Sequence, residues 1–154
     1  MTKLTGPLLK GLGTFDGKTH VLPISVYYED TDLSGVVYHA NYLRYMERGR
    51  TEFFRLAGIA LTNLVAGEPS AWTIRHAAVT FHAPARLDDQ LEVRSVLTSV
   101  TGARINARQS VHAGSTLLSD GRIEACIITL TGKLQRIPQE IRDLLTPYLY
   151  ETET

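Results

Sequence analysis

Cysteine is nearly missing from this chain: Cys126 is the only one. One thiol can neither close an intrachain disulfide nor complete a zinc site by itself. It stands in the apolar run at 125–128, where a buried and inert thiol is expected rather than a nucleophile. Net charge is missing as well, because 16 Lys and Arg balance 16 Asp and Glu. A neutral chain has no electrostatic footprint for a polyanion, which argues against a nucleic acid partner. No stretch approaches the roughly 18–20 apolar residues of a membrane span. The apolar residues at 8–12 are broken by Lys10 and Gly11, too short a run for a secretory core. A reducing, cytoplasmic setting is therefore expected.

Several familiar catalytic signatures are absent too. There is no Gly-x-Ser-x-Gly elbow to carry a hydrolase serine, and no His-Glu-x-x-His to carry a metal. His76 and His82 stand six apart in a strand-like stretch, too far along it to share an ion, so no metal site is expected. Gly17-Lys18-Thr19 looks like the end of a phosphate loop, but that motif needs glycine where Leu12 stands. Arg44, Arg48, Arg50 and Arg55 alternate with Glu47 and Glu52, a pattern expected of a solvated or interface helix face.

With 154 residues, 44% of them hydrophobic and 21% charged, the chain is long and apolar enough for one folded domain with a sizeable core. Residues 1–20 carry four glycines and little periodicity, and are expected to be a flexible or loosely docked extension to a domain spanning 21–150. From Val21, the residues Leu22, Ile24, Val26 and Tyr28 fall on one face of a half-buried strand, with Pro23 at its start or edge. A polar loop follows. Tyr42, Met46, Gly49, Phe53 and Leu56 then recur at helical spacing, with Leu43 and Phe54 widening the stripe. This predicts a helix over 41–57, stopped by Gly58. Gly49 on the buried stripe predicts close backbone packing there. After Ala71 the pattern reads as strands at 71–82, 91–100, 103–112 and 117–131, the last with a bulge expected at Asp120-Gly121. The cleanest alternation sets Ala103, Ile105, Ala107, Gln109 and Val111 against polar neighbours, implying one wetted face. A short helix over 139–145 closes the pattern. One long helix followed by consecutive strands is an α+β arrangement, an antiparallel sheet wrapped on the helix.

The chemistry concentrates in the loop before the long helix. Glu29, Asp30, Asp32, Gly35 and His39 lie within eleven residues and run into a helix N-terminus. One reading is a polar turn and cap, with acidic residues favoured by the helix dipole. The other is a site: free backbone N–H groups at a helix start stabilise a developing oxyanion, and a carboxylate beside them attacks a carbonyl or activates water. Glycine there admits close backbone approach.

The run YYEDTDLSGVVYHANYLRYMERGRTEFFRLAG over 27–58 strongly resembles the hotdog-fold thioesterases of the 4-hydroxybenzoyl-CoA thioesterase type. Within them it is most similar to the acyl-CoA thioesterase branch associated with the Tol–Pal system. Ile74-Arg75-His76 and residues 83–89 also fit, and the resemblance extends from Val21 to the last helix. It implies a sheet wrapped on the long helix, sites at subunit interfaces of a dimer or homotetramer, and an acyl-CoA substrate with no cofactor. The catalytic carboxylate falls on Asp32, as nucleophile or general base. The N–H that polarises the carbonyl falls on His39, whose side chain is thought to assist in that branch. Glu29 and Asp30 then become structural or electrostatic neighbours, and Gly35, Val37 and Tyr38 line the substrate. In the 4-hydroxybenzoyl-CoA enzyme, the turn before the fourth strand is basic and holds nucleotide phosphates. Here that turn is Val100-Thr101-Gly102-Ala103 with only Arg104 after it, so Arg104, or equally Arg86, is the candidate.

Two other readings stand beside hydrolysis. One is a hotdog enoyl-CoA hydratase or dehydratase, which needs an Asp and His five apart where Asp32 and His39 are seven apart. The other is an acyl-carrier or envelope-complex binding module with weak turnover; an acyl carrier protein is a candidate partner.

Overall fold

The alternation at 103–112 and the helical stripe at 42–53 dictate a sheet with one apolar face and a helix to cover it. A computed structural model describes residues 13–150 and shows that pairing. In chain order come β1 (Thr14–Asp16), β2 (Thr19–Ser25), a 3-10 turn (Tyr28–Asp30), α1 (Ala40–Leu56), β3 (Ser70–Phe81), β4 (Gln90–Val100), β5 (Ile105–Ala113), β6 (Thr116–Thr129), β7 (Leu134–Gln135) and α2 (Gln139–Leu145). The strands form one antiparallel sheet in the order β1-β2-β4-β5-β6-β3, with β7 pairing β6. This is the α+β hotdog architecture.

The predicted extension differs in part from the structure. Residues 14–16 and 19–25 form a hairpin whose register pairs Asp16 with Thr19, and Gly17 (φ +60°) supplies its left-handed turn residue. Residues 1–12 of the extension lie outside the described residues. Pro23 does sit where its missing N–H does no harm, because β1 reaches only Val21 on that side of β2. Tyr28 is not on the buried face with Leu22, Ile24 and Val26. The chain leaves the sheet after Ser25, and Tyr28 projects from the 3-10 turn 82% exposed. No register shift occurs at Asp120-Gly121. The shifts lie at Ile74/His76, Leu97/Ser99 and Val111/His112. Gly121 is needed for closeness instead, since a Cβ there would lie 2.9 Å from the Ala78 carbonyl oxygen.

α1 buries Tyr42, Tyr45, Met46, Gly49 and Phe53, while Leu43 and Leu56 stay exposed at its margins. Its end is a Schellman motif: Ile59 N–H donates to Phe54 O at 2.8 Å and Gly58 N–H to Arg55 O at 3.1 Å, with Gly58 at φ +80°. The apolar interior falls into two clusters along the helix. One surrounds Tyr42, Tyr45 and Met46 with Leu91, Val93 and Val111; the other surrounds Phe53 with Leu97, Ile105, Ile127, Ile137 and Leu145. Cys126 is buried, as its apolar run indicated.

Between the clusters lies Gly49, pressed against the sheet. A Cβ there would sit 2.7 Å from Val93 Cγ1, 3.1 Å from Gln109 Nε2 and 3.2 Å from Ser95 Oγ. Close approach, and not helix propensity, explains glycine at this position, because alanine would favour the helix by only about 1 kcal/mol. Gly49→Val should lower unfolding free energy by about 1–3 kcal/mol through overpacking. Urea titration followed by circular dichroism checks this; an unchanged midpoint would show that the helix can lift without cost.

Candidate active site

Asp30 organises the loop between the 3-10 turn and α1. Its carboxylate Oδ2 accepts the Tyr27 N–H at 2.9 Å, and its own N–H donates to Tyr27 O at 3.0 Å. Its carbonyl accepts the Tyr38 N–H at 3.0 Å and the buried Asn41 amide at 2.8 Å, tying the loop's start to the start of the helix. The carboxylate is buried beside the Tyr45 hydroxyl, whose pKa is pushed well up by burial and then by Asp30. Asp30 is thus built in as a brace. Glu29 beside it is exposed.

From that brace, Thr31 and Val37 pair across a narrow loop. Asp32 N–H donates to Val36 O at 2.9 Å, and Gly35 N–H returns to Asp32 O at 3.0 Å, with Gly35 in the left-handed region at φ +81°. A residue with a Cβ would be strained at Gly35. Leu33 and Gly35 form the exposed tip. Asp32 Oδ1 takes both donors of Ser34, the N–H at 2.8 Å and the hydroxyl at 2.5 Å. Those two bonds, hydroxyl first, hold the exposed carboxyl below the ordinary aspartate value, with smaller help from the Val36 N–H. Both Ser34 bonds fall on Oδ1, and the Asp32 side chain remains exposed.

The loop's far side hangs on residues 83–89. Val37 N–H donates to Ala85 O at 2.8 Å, the Ala85 N–H donates to the Tyr42 hydroxyl at 3.0 Å, and Val36 bridges Arg86. That segment is itself fixed by Val26 N–H to Asp89 O at 3.0 Å and by Arg86 N–H to Asp89 Oδ2 at 2.9 Å. The Tyr42 phenol is buried, which raises its pKa and keeps it protonated.

His39 is the residue preceding α1, exposed and without a side-chain cap bond. Asn41 and Tyr42 donate to Tyr38 O and His39 O, but among the described residues the N–H groups of His39 and Ala40 meet no acceptor. These two donors sit at the positive end of a 17-residue helix. The His39 ring lies 4.4 Å from Tyr38 and 6.0 Å from Phe81, and Tyr42 is 5.5 Å from Phe81, centroid to centroid. The far end of β3 therefore closes one wall of the site, a neighbour that local patterns around Phe81 did not reveal.

The chain thus brings Asp32, Gly35, Tyr38 and His39 into one loop and helix start. Val37 is placed differently from a substrate contact: its side chain is in the core, 4% exposed, and its N–H is used by Ala85. Arg104 stands apart within the chain. It follows the Val100 end of β4, whereas the loop sits at the Gln90 end, about 30 Å away at strand rise. It pairs instead with Glu124 at 3.6 Å, beside the Arg75–Glu124 bridge at 2.7 Å. Arg86 is the arginine that borders the loop. Among the described residues no three His, Cys, Asp or Glu side chains converge as metal ligands, and no helix is long and apolar enough to cross a membrane.

A second feature lies between α1 and the sheet, a cavity of about 250 Å³ lined by Phe53, Phe54, Trp72, Ile74, Ile105 and Ile123, with Arg50 among its few polar groups. Arg50 departs from the solvated face expected of the helix arginines. The sequence did carry one signal of this, a glutamine at 109 on the apolar side of the β5 alternation.

Fold and loop together define a hotdog-type α+β domain with a carboxylate set before a helix N-terminus. Residues 34–119 match the thioesterase superfamily model, and the chain belongs to that superfamily. It is 41% identical over 121 residues to the acyl-CoA thioester hydrolase YbgC of Escherichia coli O6:H1, covering 77% of this chain and 90% of that protein. It is 35% identical over 122 residues to the acyl-CoA thioesterase YbgC of Haemophilus influenzae, covering 78% and 89%. The crystal structure of a probable thioesterase from Bartonella henselae superposes with a TM-score of 0.74 at 38% identity, over 78% of this chain and 98% of that one. Within the superfamily the chain is thus related to the YbgC branch. Asp32 lies just before the matched span.

Ser34 gives the loop a pH test. Ser34→Ala removes the hydroxyl donor to Asp32, so the Asp32 pKa should rise toward its ordinary value. The carboxylate would then be lost at higher pH as the solution is acidified. Carbon-13 NMR titration of the Asp32 carboxyl measures this, and an unmoved pKa would show that the Ser34 hydroxyl does not hold Asp32 in solution.

Proposed function

We propose that the protein hydrolyses the thioester of an acyl-CoA to the free acid and CoA, as the names of its YbgC relatives indicate for those proteins. The observation that carries this reading is local. An exposed carboxylate anchored through one oxygen by Ser34 lies in the loop that leads into a helix start whose first two N–H groups meet no acceptor among the described residues. In one route Asp32 attacks the thioester carbon, expels the CoA thiolate and leaves a mixed anhydride that water hydrolyses. In the other, Asp32 takes a proton from water as that water attacks, and the tetrahedral oxyanion collapses with loss of the thiolate. In both, the backbone N–H of His39 faces the oxyanion, with that of Ala40 beside it. On this reading the His39 imidazole assists proton transfer.

Asp32→Asn keeps the Ser34 acceptor and removes the charge, so kcat should fall by about 10²–10⁴-fold. Asp30→Asn keeps an oxygen for the Tyr27 N–H and should be mild. Thiol release from a panel of acyl-CoAs measures both; an inactive Asp30 variant beside an active Asp32 variant would reverse the assignment.

The site reads as half of a shared one. Beyond the Thr62–Ala71 bridge, the outer edge of β3 pairs with no strand among the described residues. It carries Ile74 and Phe81, each a little under half exposed. A long unpaired apolar edge calls for a partner. A second copy added antiparallel about a two-fold axis near the middle of β3 would set the Phe81 end of one chain against the Trp72 end of the other. The loop of one subunit would then face the cavity of its partner, which serves as the acyl chamber. At about 250 Å³ it falls below the usual 300–1,000 Å³ of small-molecule pockets and suits a short chain or single ring. Light scattering behind a sizing column should give a dimer or a dimer of dimers. A monomer at micromolar concentration would remove the shared site.

A further inference from the structure

Arg50 is the one arginine of α1 turned into the cavity between helix and sheet. Its Nη1 donates to Gln109 Oε1 at 2.8 Å. Gln109 is itself 2% exposed and fully committed, its Nε2 donating to Met46 O at 2.8 Å and to Ser95 Oγ at 2.9 Å. The Met46 carbonyl can only accept, so the amide orientation is fixed and its oxygen must face Arg50. Gly49 makes room for this, since Gln109 Nε2 occupies the space beside its missing side chain. The guanidinium is therefore held in place by a neutral amide that uses one of its five N–H donors.

What the guanidinium lacks is an anion. Among the described residues no carboxylate lies within ion-pair distance of it, although Arg55, Arg75, Arg94 and Arg104 each have one. The polar groups sharing its cavity are Glu47, Thr51 and Ser95. Glu47 is engaged along the helix by the Thr51 hydroxyl at 2.9 Å. Burial lowers the Arg50 pKa, and Glu47 only partly opposes this. A cation taken from water and given a neutral partner is costly to hold. A structure that positions it so firmly in a mostly apolar chamber, with Glu47 outside ion-pair distance and bonded by Thr51, suits it to meet an acceptor that arrives with a ligand.

We propose that Arg50 is a specificity-determining residue: its guanidinium, fixed by Gln109, donates to an oxygen acceptor carried by the acyl group at the end remote from the thioester. The acceptor class is a carboxylate or a hydroxyl. This rests on the thioesterase reading and adds to it what the acyl group must look like. An acyl group with a plain hydrocarbon end would fill the apolar walls but leave the guanidinium unanswered.

The test uses matched pairs that differ only at the remote end: 4-hydroxybenzoyl-CoA against benzoyl-CoA, and glutaryl-CoA against pentanoyl-CoA. Wild-type protein should favour the oxygen-bearing member of at least one pair by roughly 10- to 100-fold in kcat/KM, the range expected of a hydrogen bond to a charged group. The pair that responds identifies the acceptor. In Arg50→Met that ratio should collapse toward unity. No preference in either pair, or a proportional loss for both members, would overturn the proposal and leave Arg50 a structural residue. Should Arg50→Met fail to fold, Arg50→Lys must still narrow the ratio severalfold, because an ammonium cannot reproduce the planar fork; an unchanged ratio overturns it. Calorimetric binding of the four CoA thioethers makes the same comparison without turnover. Wild-type protein that hydrolyses none of the thioesters defeats the hydrolase reading, while the binding ratio separately decides the role of Arg50.

Discussion

The contact on which the rest depends is the approach of α1 to the sheet at Gly49, where the missing side chain lets Val93, Ser95 and Gln109 come against helix backbone. The closeness sets the depth at which the helix lies. It therefore fixes where the helix N-terminus emerges and how much space remains beneath its C-terminal half. It also lets one buried glutamine serve both elements, bonding the helix carbonyl of Met46 on one side and Ser95 of β4 on the other. In a low-dielectric interior such a satisfied polar bridge favours a single seating of helix on sheet, where apolar contacts alone would tolerate sliding.

From that seating the loop follows by a chain of backbone bonds. Asp30 O, Val36 O and Ala85 O receive the main-chain donors that shape it, while two side chains, Asn41 and Tyr42, connect it to the helix. Electrostatics adds a bias in the same direction. The carboxylate that Ser34 holds below its ordinary pKa and the unbonded amide hydrogens at the helix start are charges of opposite sign carried on one loop and the helix it enters. In the proposed hydrolysis the first serves as the electron donor to the thioester carbonyl and the second as the electron sink.

Much of this was legible in the sequence for definite reasons. The stripe Tyr42, Met46, Gly49 and Phe53 marks α1 because a helix must bury one face, and Gly49 on that stripe correctly signalled close packing. Gln109 stood on the apolar side of β5, where a polar residue needs a dedicated partner. Other features could not be read locally. The hairpin at 14–25 hides in glycine-rich sequence because its turn, not its side chains, sets the register. Tyr28 keeps the strand period although the chain has already left the sheet. In β6 the register shift falls at Leu118, opposite Val111/His112, and not at Asp120-Gly121, where glycine answers the nearness of Ala78. Arg50 looked like its solvated neighbours; only the cross-strand position of Gln109 turns it inward. The roles proposed for Asp32 and His39 rest on the resemblance over residues 27–58 and not on a local pattern.

The loop and the cavity share no residue. The loop is shaped by residues 26–42 and 81–89, whereas the cavity walls come from residues 47–54 of α1, Leu61, the first half of β3, the start of β5 and the middles of β4 and β6. Substitutions at Phe54, Trp72 or Ile74 reshape the chamber without touching a hydrogen bond that holds Asp32 or the helix start. Conversely, the loop's shape is carried mainly by peptide groups and survives exchange of exposed side chains such as Glu29 and Leu33. A scaffold divided in this way lets ligand preference drift under selection in small steps while the reactive geometry is inherited intact.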